Sequence, residues 1–140
     1  TVCAVVGELP SVPTMGPNDQ PVLYSVDFAG CTEMPTWEPD AVADVFVQAL
    51  ERAGATVVHR LAHHFPGKGL TCVLILAESH AVLHTWPETG TVNIDIFSCS
   101  ARLNSLAAIV DLGRSYGASN VSVQEIARAN GHSPASVRTR

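Results

Sequence analysis

The sequence has little positive charge: 8 Lys and Arg face 13 Asp and Glu in 140 residues, a formal net charge of −5. Phosphate backbones are gripped by clustered basic side chains, so nucleic acid is not an expected partner. A charge of this size serves solubility, and it also suits cationic ligands such as amines or sulfonium compounds. Long hydrophobic runs are lacking too. The longest, around Val73 to Ala77 and Leu106 to Val110, fall far short of the ~20 residues that span a bilayer, so no membrane partner is expected. No basic segment followed by an apolar run opens the chain at Thr1, so no signal peptide is read there. Cysteine is sparse: Cys3, Cys31, Cys72 and Cys99 form no CxxC pair. That excludes a disulfide-stapled secreted framework and fits a reducing, cytoplasmic setting.

What is present is enough for one compact core, since 46% of the residues are hydrophobic. Residues 1–21 carry Pro10, Pro13, Pro17 and Pro21 with Gly7 and Gly16, and read as a flexible Pro-rich arm. Residues 22–130 read as the folded domain and 131–140 as a tail. Val22 to Ala29 alternates as a half-buried strand ended by Gly30. Val42, Val45, Phe46, Ala49 and Leu50 predict a helix capped by Asp40 and stopped by Gly54. Residues 55–65 read as a strand leading into Pro66-Gly67-Lys68-Gly69. Thr71 to Glu78 is an unbroken apolar run, expected to be a central strand covered on both faces, and His80 to Trp86 prolongs its extended character. A strand over Thr91 to Phe97, a second helix around Leu103 to Leu112 and a strand over Val121 to Ile126 complete the order. The fold class is therefore α+β: a two-layer α/β sandwich, a mainly antiparallel sheet with two helices packed on one face. The tail has a helix-turn-helix cadence, but without a basic surface it is assigned no function.

Reactive side chains crowd into Glu78-Ser79-His80-Ala81-Val82-Leu83-His84-Thr85-Trp86-Pro87-Glu88. A serine hydroxyl beside a strained carbonyl can attack it and convert an amide into an ester. A base that then removes the serine α-proton cuts the chain by β-elimination, and His84 is the natural candidate. Residue types and spacing alone leave this open, because a serine near histidines is commonplace.

The stretch from Leu76 to Glu88, LAESHAVLHTWPE, with Asp95-Ile-Phe-Ser-Cys99 after it, resembles the short prokaryotic S-adenosylmethionine decarboxylases. Their signature runs A-E-S-H-I-x-x-H-T-W-P-E, then D-x-F-x-C-G. Phe65-Pro-Gly-Lys-Gly-Leu-Thr71 is similar to their F-x-P-x-G-V-S, and Asp27 to Cys31 looks like the end of their first strand. The resemblance implies self-cleavage between Glu78 and Ser79, with Ser79 becoming a pyruvoyl cofactor; no metal and no pyridoxal phosphate is implied. It makes His84 the processing histidine, Thr71 a stand-in for an assisting serine, and Cys99 the proton donor in turnover. Phe65 falls where a ring stacks on adenine, and Glu88 lies at the rim. Trp86 either packs or touches substrate. The implied activity is a pyruvoyl-dependent carboxy-lyase acting on S-adenosylmethionine through a Schiff base, in polyamine synthesis, as a homodimer with interfacial active sites. Turnover on an amino-acid-type substrate uses the pyruvoyl carbonyl as an electron sink.

Two departures stand near the site: Thr89-Gly90 replaces Tyr-Gly, and Ser100-Ala101 replaces Gly-Asp. They leave two alternatives, a shifted substrate such as ornithine or arginine, and an unprocessed binding or partner subunit. His59, His63, His64, His80 and His84 show no fixed Cys/His spacing and are assigned no metal. Cys72 and Cys31 read as packing residues, and Trp37 as the anchor of the loop before the first helix.

Overall fold

The computed structural model describes residues 20–33, 38–100 and 102–131. Most of the Pro-rich arm, Trp37 and most of the tail lie outside these residues. In chain order the elements are β1 (Val22–Ala29), α1 (Pro39–Arg52), β2 (Val57–His64), β3 (Leu70–Leu76), β4 (Ser79–Trp86), β5 (Thr91–Ser98), α2 (Ser105–Ser115) and β6 (Asn120–Ala127). The strands form one sheet in the order β2-β3-β4-β5-β1-β6, and every neighbouring pair is antiparallel. From β2 to β5 the chain meanders; α1 carries it from β1 to the far edge, and α2 carries it past β1 to the other.

Both helices lie on one face, which explains the alternation of burial along the strands. Leu70, Cys72, Leu74 and Leu76 of β3, Ala81 and Leu83 of β4, and Val92, Ile94 and Ile96 of β5 are buried under them. Helix α1 contributes Val42, Ala43, Phe46, Ala49 and Leu50, and α2 contributes Ala108, Ile109 and Leu112. Tyr116, at the end of α2, is buried, and its hydroxyl donates to the Val42 carbonyl at 3.0 Å, tying the two helices together. Helix α2 is capped by Asn104, whose side chain accepts from the Ala107 amide at 3.0 Å. Helix α1 starts differently from the expectation. Pro39 holds its first turn, so Glu38 is the N-cap, without a side-chain bond, and Asp40 lies inside the turn, favourably placed for the helix dipole.

Two further expectations need correction. The run from Thr71 to Trp86 is not one extended strand: β3 and β4 are separate strands of a hairpin, paired from Thr71↔His84 to Leu76↔Ser79. Neither Gly nor Pro marks the turn. The residue that adopts the positive φ there is Ser79, at 152°, a value ordinarily reserved for glycine, so turn chemistry in the sequence is silent. Nor is β3 covered on both faces, since Ile75 on the face away from the helices is 50% exposed. An unbroken apolar run signals two apolar faces, and this chain covers one of them. The segment that opens the helix-turn-helix cadence, from Ser122 to Ala127, is part of edge strand β6 and pairs with β1.

Candidate active site

The chemistry-bearing side chains gather at the two ends of β4. At its start, Glu78 is almost fully buried, and its carboxylate accepts the Thr56 amide through both oxygens, at 3.2 and 3.1 Å. This clasp fixes the turn immediately before Ser79. The Glu78 main-chain carbonyl, part of the Glu78–Ser79 peptide bond, receives two donors from one residue: the Cys99 amide at 3.2 Å and the Cys99 Sγ at 2.9 Å. Two donors on one carbonyl polarise it and stand ready for negative charge on its oxygen, as an oxyanion hole does. Ser79 Oγ lies 3.2 Å from His80 Nδ1. A cavity of about 440 Å³ opens beside Cys99, lined also by Tyr24, Ser98, Ser100 and the first residues of α2. Burial and the neighbouring Glu125 carboxylate push the Tyr24 phenol above its usual range.

At the other end, His84 Nδ1 is 2.7 Å from Thr71 Oγ1 across the β3–β4 pairing. The hydroxyl expected of a serine is thus supplied by the threonine and holds the imidazole. The His84 ring meets Trp86 edge-on at 4.5 Å and Phe65 at 5.9 Å between centroids. Trp86 Nε1 donates to Asn93 Oδ1 at 2.6 Å, and Asn93 Nδ2 donates to Asp27 Oδ1 at 2.7 Å. Phe65, His84, Trp86 and Glu88 line one cleft of about 180 Å³, together with Lys68 and Gly69.

The structure therefore brings Glu78, Ser79 and Cys99 together, and separately Thr71, His84, Phe65, Trp86 and Glu88. It does not bring the two groups to each other within one chain. Ser79 and His84 are five positions apart on the same strand, roughly 16 Å at ~3.3 Å per residue. Proton transfer needs hydrogen-bond contact, so His84 cannot serve Ser79 of its own chain. No site role is read from the sequence for His80, Asn93, Asp27 or Lys68. Alternation places Asp27, Thr71, His84 and Asn93 on outward faces of their strands, but only the register aligns them in one row.

At the two departures from the family pattern, short hydroxyl side chains close loops. Thr89 Oγ1 donates to the Trp86 carbonyl at 3.4 Å and lies 3.0 Å from Thr91 Oγ1, while Ser100 Oγ accepts the Arg102 amide at 3.1 Å. Cys31 and Cys72 are buried, and desolvation raises both thiols, leaving them poor nucleophiles.

A sequence model of the S-adenosylmethionine decarboxylase family matches residues 23–129, which include both groups. The chain belongs to this family. The S-adenosylmethionine decarboxylase proenzyme of Acidithiobacillus ferrooxidans is 36% identical over 102 residues, covering 73% of this chain and 77% of that protein. The proenzyme of Clostridium tetani is 31% identical over 109 residues, 78% of this chain and 86% of that one. The crystal structure of the adenosylmethionine decarboxylase from Aquifex aeolicus shares the fold, with a TM-score of 0.71 at 22% identity, covering 79% of this chain and 91% of that chain. Membership in the S-adenosylmethionine decarboxylase family accounts for the α+β sandwich.

Proposed function

We propose that this chain is a self-cleaving proenzyme which breaks its Glu78–Ser79 bond, converts Ser79 into a pyruvoyl group and decarboxylates S-adenosylmethionine. The observation that carries this reading is the Glu78 carbonyl, doubly hydrogen-bonded by Cys99 and joined to a serine at positive φ. That carbonyl is polarised, the following backbone is strained, and the hydroxyl nucleophile belongs to the next residue. A pyruvoyl group at position 79 fits this donor set, and when present it supplies the electron-withdrawing carbonyl that loss of CO2 requires.

The chain's own residues do the rest. Cys99 Sγ first supports the Glu78 oxygen, and after cleavage it holds a proton beside residue 79 for return to the substrate carbon. Phe65 and Trp86 offer aromatic surface to a flat base and to a sulfonium charge, and Glu88 offers a carboxylate to ribose hydroxyls or to that charge. Thr71 orients His84 as a base.

The separation of the two groups supports a homodimer with shared sites. A second copy laid antiparallel across the open sheet face would set its His84 and Phe65 against Ser79 and Cys99 of the first, by symmetry twice. Leu61, Ile75 and Ile126, exposed on that face at 63%, 50% and 41%, are the apolar surface such a partner would cover. No helix among the described residues is long and apolar enough to cross a membrane, and cytoplasmic polyamine synthesis is the setting we propose.

Mass spectrometry of the purified protein tests the reading. Two fragments are expected, one ending at Glu78 and one beginning with a pyruvoyl group, together with labelled CO2 from carboxyl-labelled S-adenosylmethionine. Ser79→Ala should give an intact, inactive chain. An intact wild-type chain would defeat self-cleavage. Cleaved protein that releases CO2 from ornithine or arginine, but not from S-adenosylmethionine, would move the substrate.

A further inference from the structure

We infer that His80 is the base that starts self-cleavage, so that processing uses two histidines: His80 of the same chain for the serine hydroxyl, and His84 of the second copy for the α-proton. The inference rests on the pyruvoyl reading and deepens it.

Self-cleavage needs a proton removed twice, from two different atoms. The first sits on Ser79 Oγ, which must become nucleophilic; the second sits on the Ser79 α-carbon, removed when the ester eliminates. His84 is roughly 16 Å along β4 from Ser79 of its own chain. The imidazole within reach is that of His80, whose Nδ1 lies 3.2 Å from Ser79 Oγ. In a regular strand, consecutive side chains point to opposite faces and would not meet. Here the positive φ of Ser79, 152°, breaks the alternation at that point. The strained turn thus accompanies both a polarised carbonyl and a base beside the hydroxyl.

The His80 ring is also held in place. It packs on Phe97 at 5.3 Å between centroids, and the Arg128 guanidinium lies over the same phenyl ring at 5.8 Å. Phe97 is the cross-strand partner of His80 on β5, so this packing follows from the register. One chain therefore contains a nucleophile, a base in contact with it and two donors on the carbonyl under attack.

The step balances without any added reactant. With Nδ1 unprotonated, His80 takes the Oγ proton as Oγ bonds to the Glu78 carbonyl carbon, and the carbonyl electron pair moves to the oxygen held by Cys99. When the carbonyl re-forms, the C–N bond breaks with its pair going to the Ser79 nitrogen, which takes the proton back from His80. The product is an ester between Glu78 and Ser79 Oγ with a free amine on Ser79, an isomer of the starting chain.

Hydroxylamine cuts such an ester but not the peptide bond, and so reads this step separately from elimination. His84→Ala should accumulate chain that stays intact alone and is split after residue 78 by hydroxylamine. His80→Asn, which keeps an acceptor near the place of Nδ1 but cannot carry the proton, should slow ester formation by roughly 100-fold or more. His80→Asn/His84→Ala should then resist hydroxylamine. His80→Ala should behave alike and recover cleavage when imidazole is added, a recovery that a merely structural role would not give. His80→Asn that self-cleaves at the wild-type rate, or a double variant as hydroxylamine-sensitive as His84→Ala, overturns the inference. If His84→Ala forms ester but cleaved wild-type protein releases no CO2 from S-adenosylmethionine, the substrate assignment fails while His80 stands. If neither wild type nor His84→Ala is ever split, the pyruvoyl reading falls and this inference with it.

Discussion

Thr71 shows how a single side chain can preserve a contact that its type puts in question. The family pattern has serine at this point, and the added methyl matters little because the hydroxyl still reaches His84 Nδ1 at 2.7 Å. Thr71→Ser should leave the first-order rate of self-cleavage within about threefold, on gels sampled over time. Thr71→Val keeps the shape, removes the hydroxyl, and should slow cleavage roughly tenfold, the worth of one such hydrogen bond. Tyr116 gives a stability prediction with a definite sign. Burial raises its phenol above the ordinary value of 10.0, so the folded state favours the protonated form. Below pH ~10 the phenol is neutral in both states and its contribution is constant; above that, the unfolded chain ionises and stability falls. Denaturant titrations at stepwise pH should show this decline. Tyr116→Phe should blunt it, while costing about 1–2 kcal/mol at neutral pH because the bond from the Tyr116 hydroxyl to the buried Val42 carbonyl is lost. A decline of equal steepness in Tyr116→Phe would assign it to other groups.

The hairpin from β3 to β4 carries a reactive group at each end, so the turn that closes it and the β2–β3 turn beside its open end matter more than its strands. At the Phe65 end, the Phe65 amide donates to the Gly69 carbonyl at 2.8 Å and the Lys68 amide donates to the Phe65 carbonyl at 2.9 Å. A Cβ on Gly69 would stand 1.8 Å from the Thr85 carbonyl oxygen, so β3 could not keep its place beside β4 there. Gly69→Ala should destabilise the fold by about 2 kcal/mol and raise KM by tilting the segment that presents Phe65. Gly67→Ala is the matched control: nothing lies within 4 Å of the added Cβ, and the penalty is the positive φ of 68°, about 1 kcal/mol. Thermal melts of the two variants separate steric clash from backbone strain. Elements themselves were legible where hydrophobic period and turn chemistry agreed, as in β1, β5 and α2. The boundary between β3 and β4 was not, because Ala77-Glu78-Ser79 carries no Gly, Pro, Asn or Asp and the bend is held by contacts from Thr56 and Cys99.

At the scale of the molecule, the proposed homodimer makes the open sheet face and the divided site two aspects of one arrangement. If Ser79 of one copy is processed by His84 of another, two differently inactivated chains should repair each other. Ser79→Ala and His84→Ala, coexpressed in equal amounts, should form mixed dimers having one complete site and one doubly defective site. Half the dimers are mixed, so about a quarter of wild-type decarboxylation is expected. Each variant alone should give nothing above background. Failure to recover activity in mixed dimers, verified by differently tagged chains, would contradict sharing across the interface. A charge placed on the face that the proposed dimer would cover, Ile75→Glu, should yield a monomer by analytical ultracentrifugation that keeps its fold and does not self-cleave.

Local pattern determined a good deal here. Alternation and helical period set the α+β class, the motif from Glu78 to Glu88 marked the candidate reactive residues, and unbroken apolarity in β3 signalled two apolar faces, of which the chain itself buries one. These are properties of residues near one another in the chain, and they survive without knowledge of pairing. Tertiary structure decided which of the reactive residues meet. Cross-strand register set Thr71 against His84 and Asn93, and Cys99 reached the Glu78 carbonyl through the packing of β5 beside β4. It also kept His84 a strand's length from Ser79 and put His80 beside it, because distance along a β-strand accumulates at ~3.3 Å per residue whatever the motif contains.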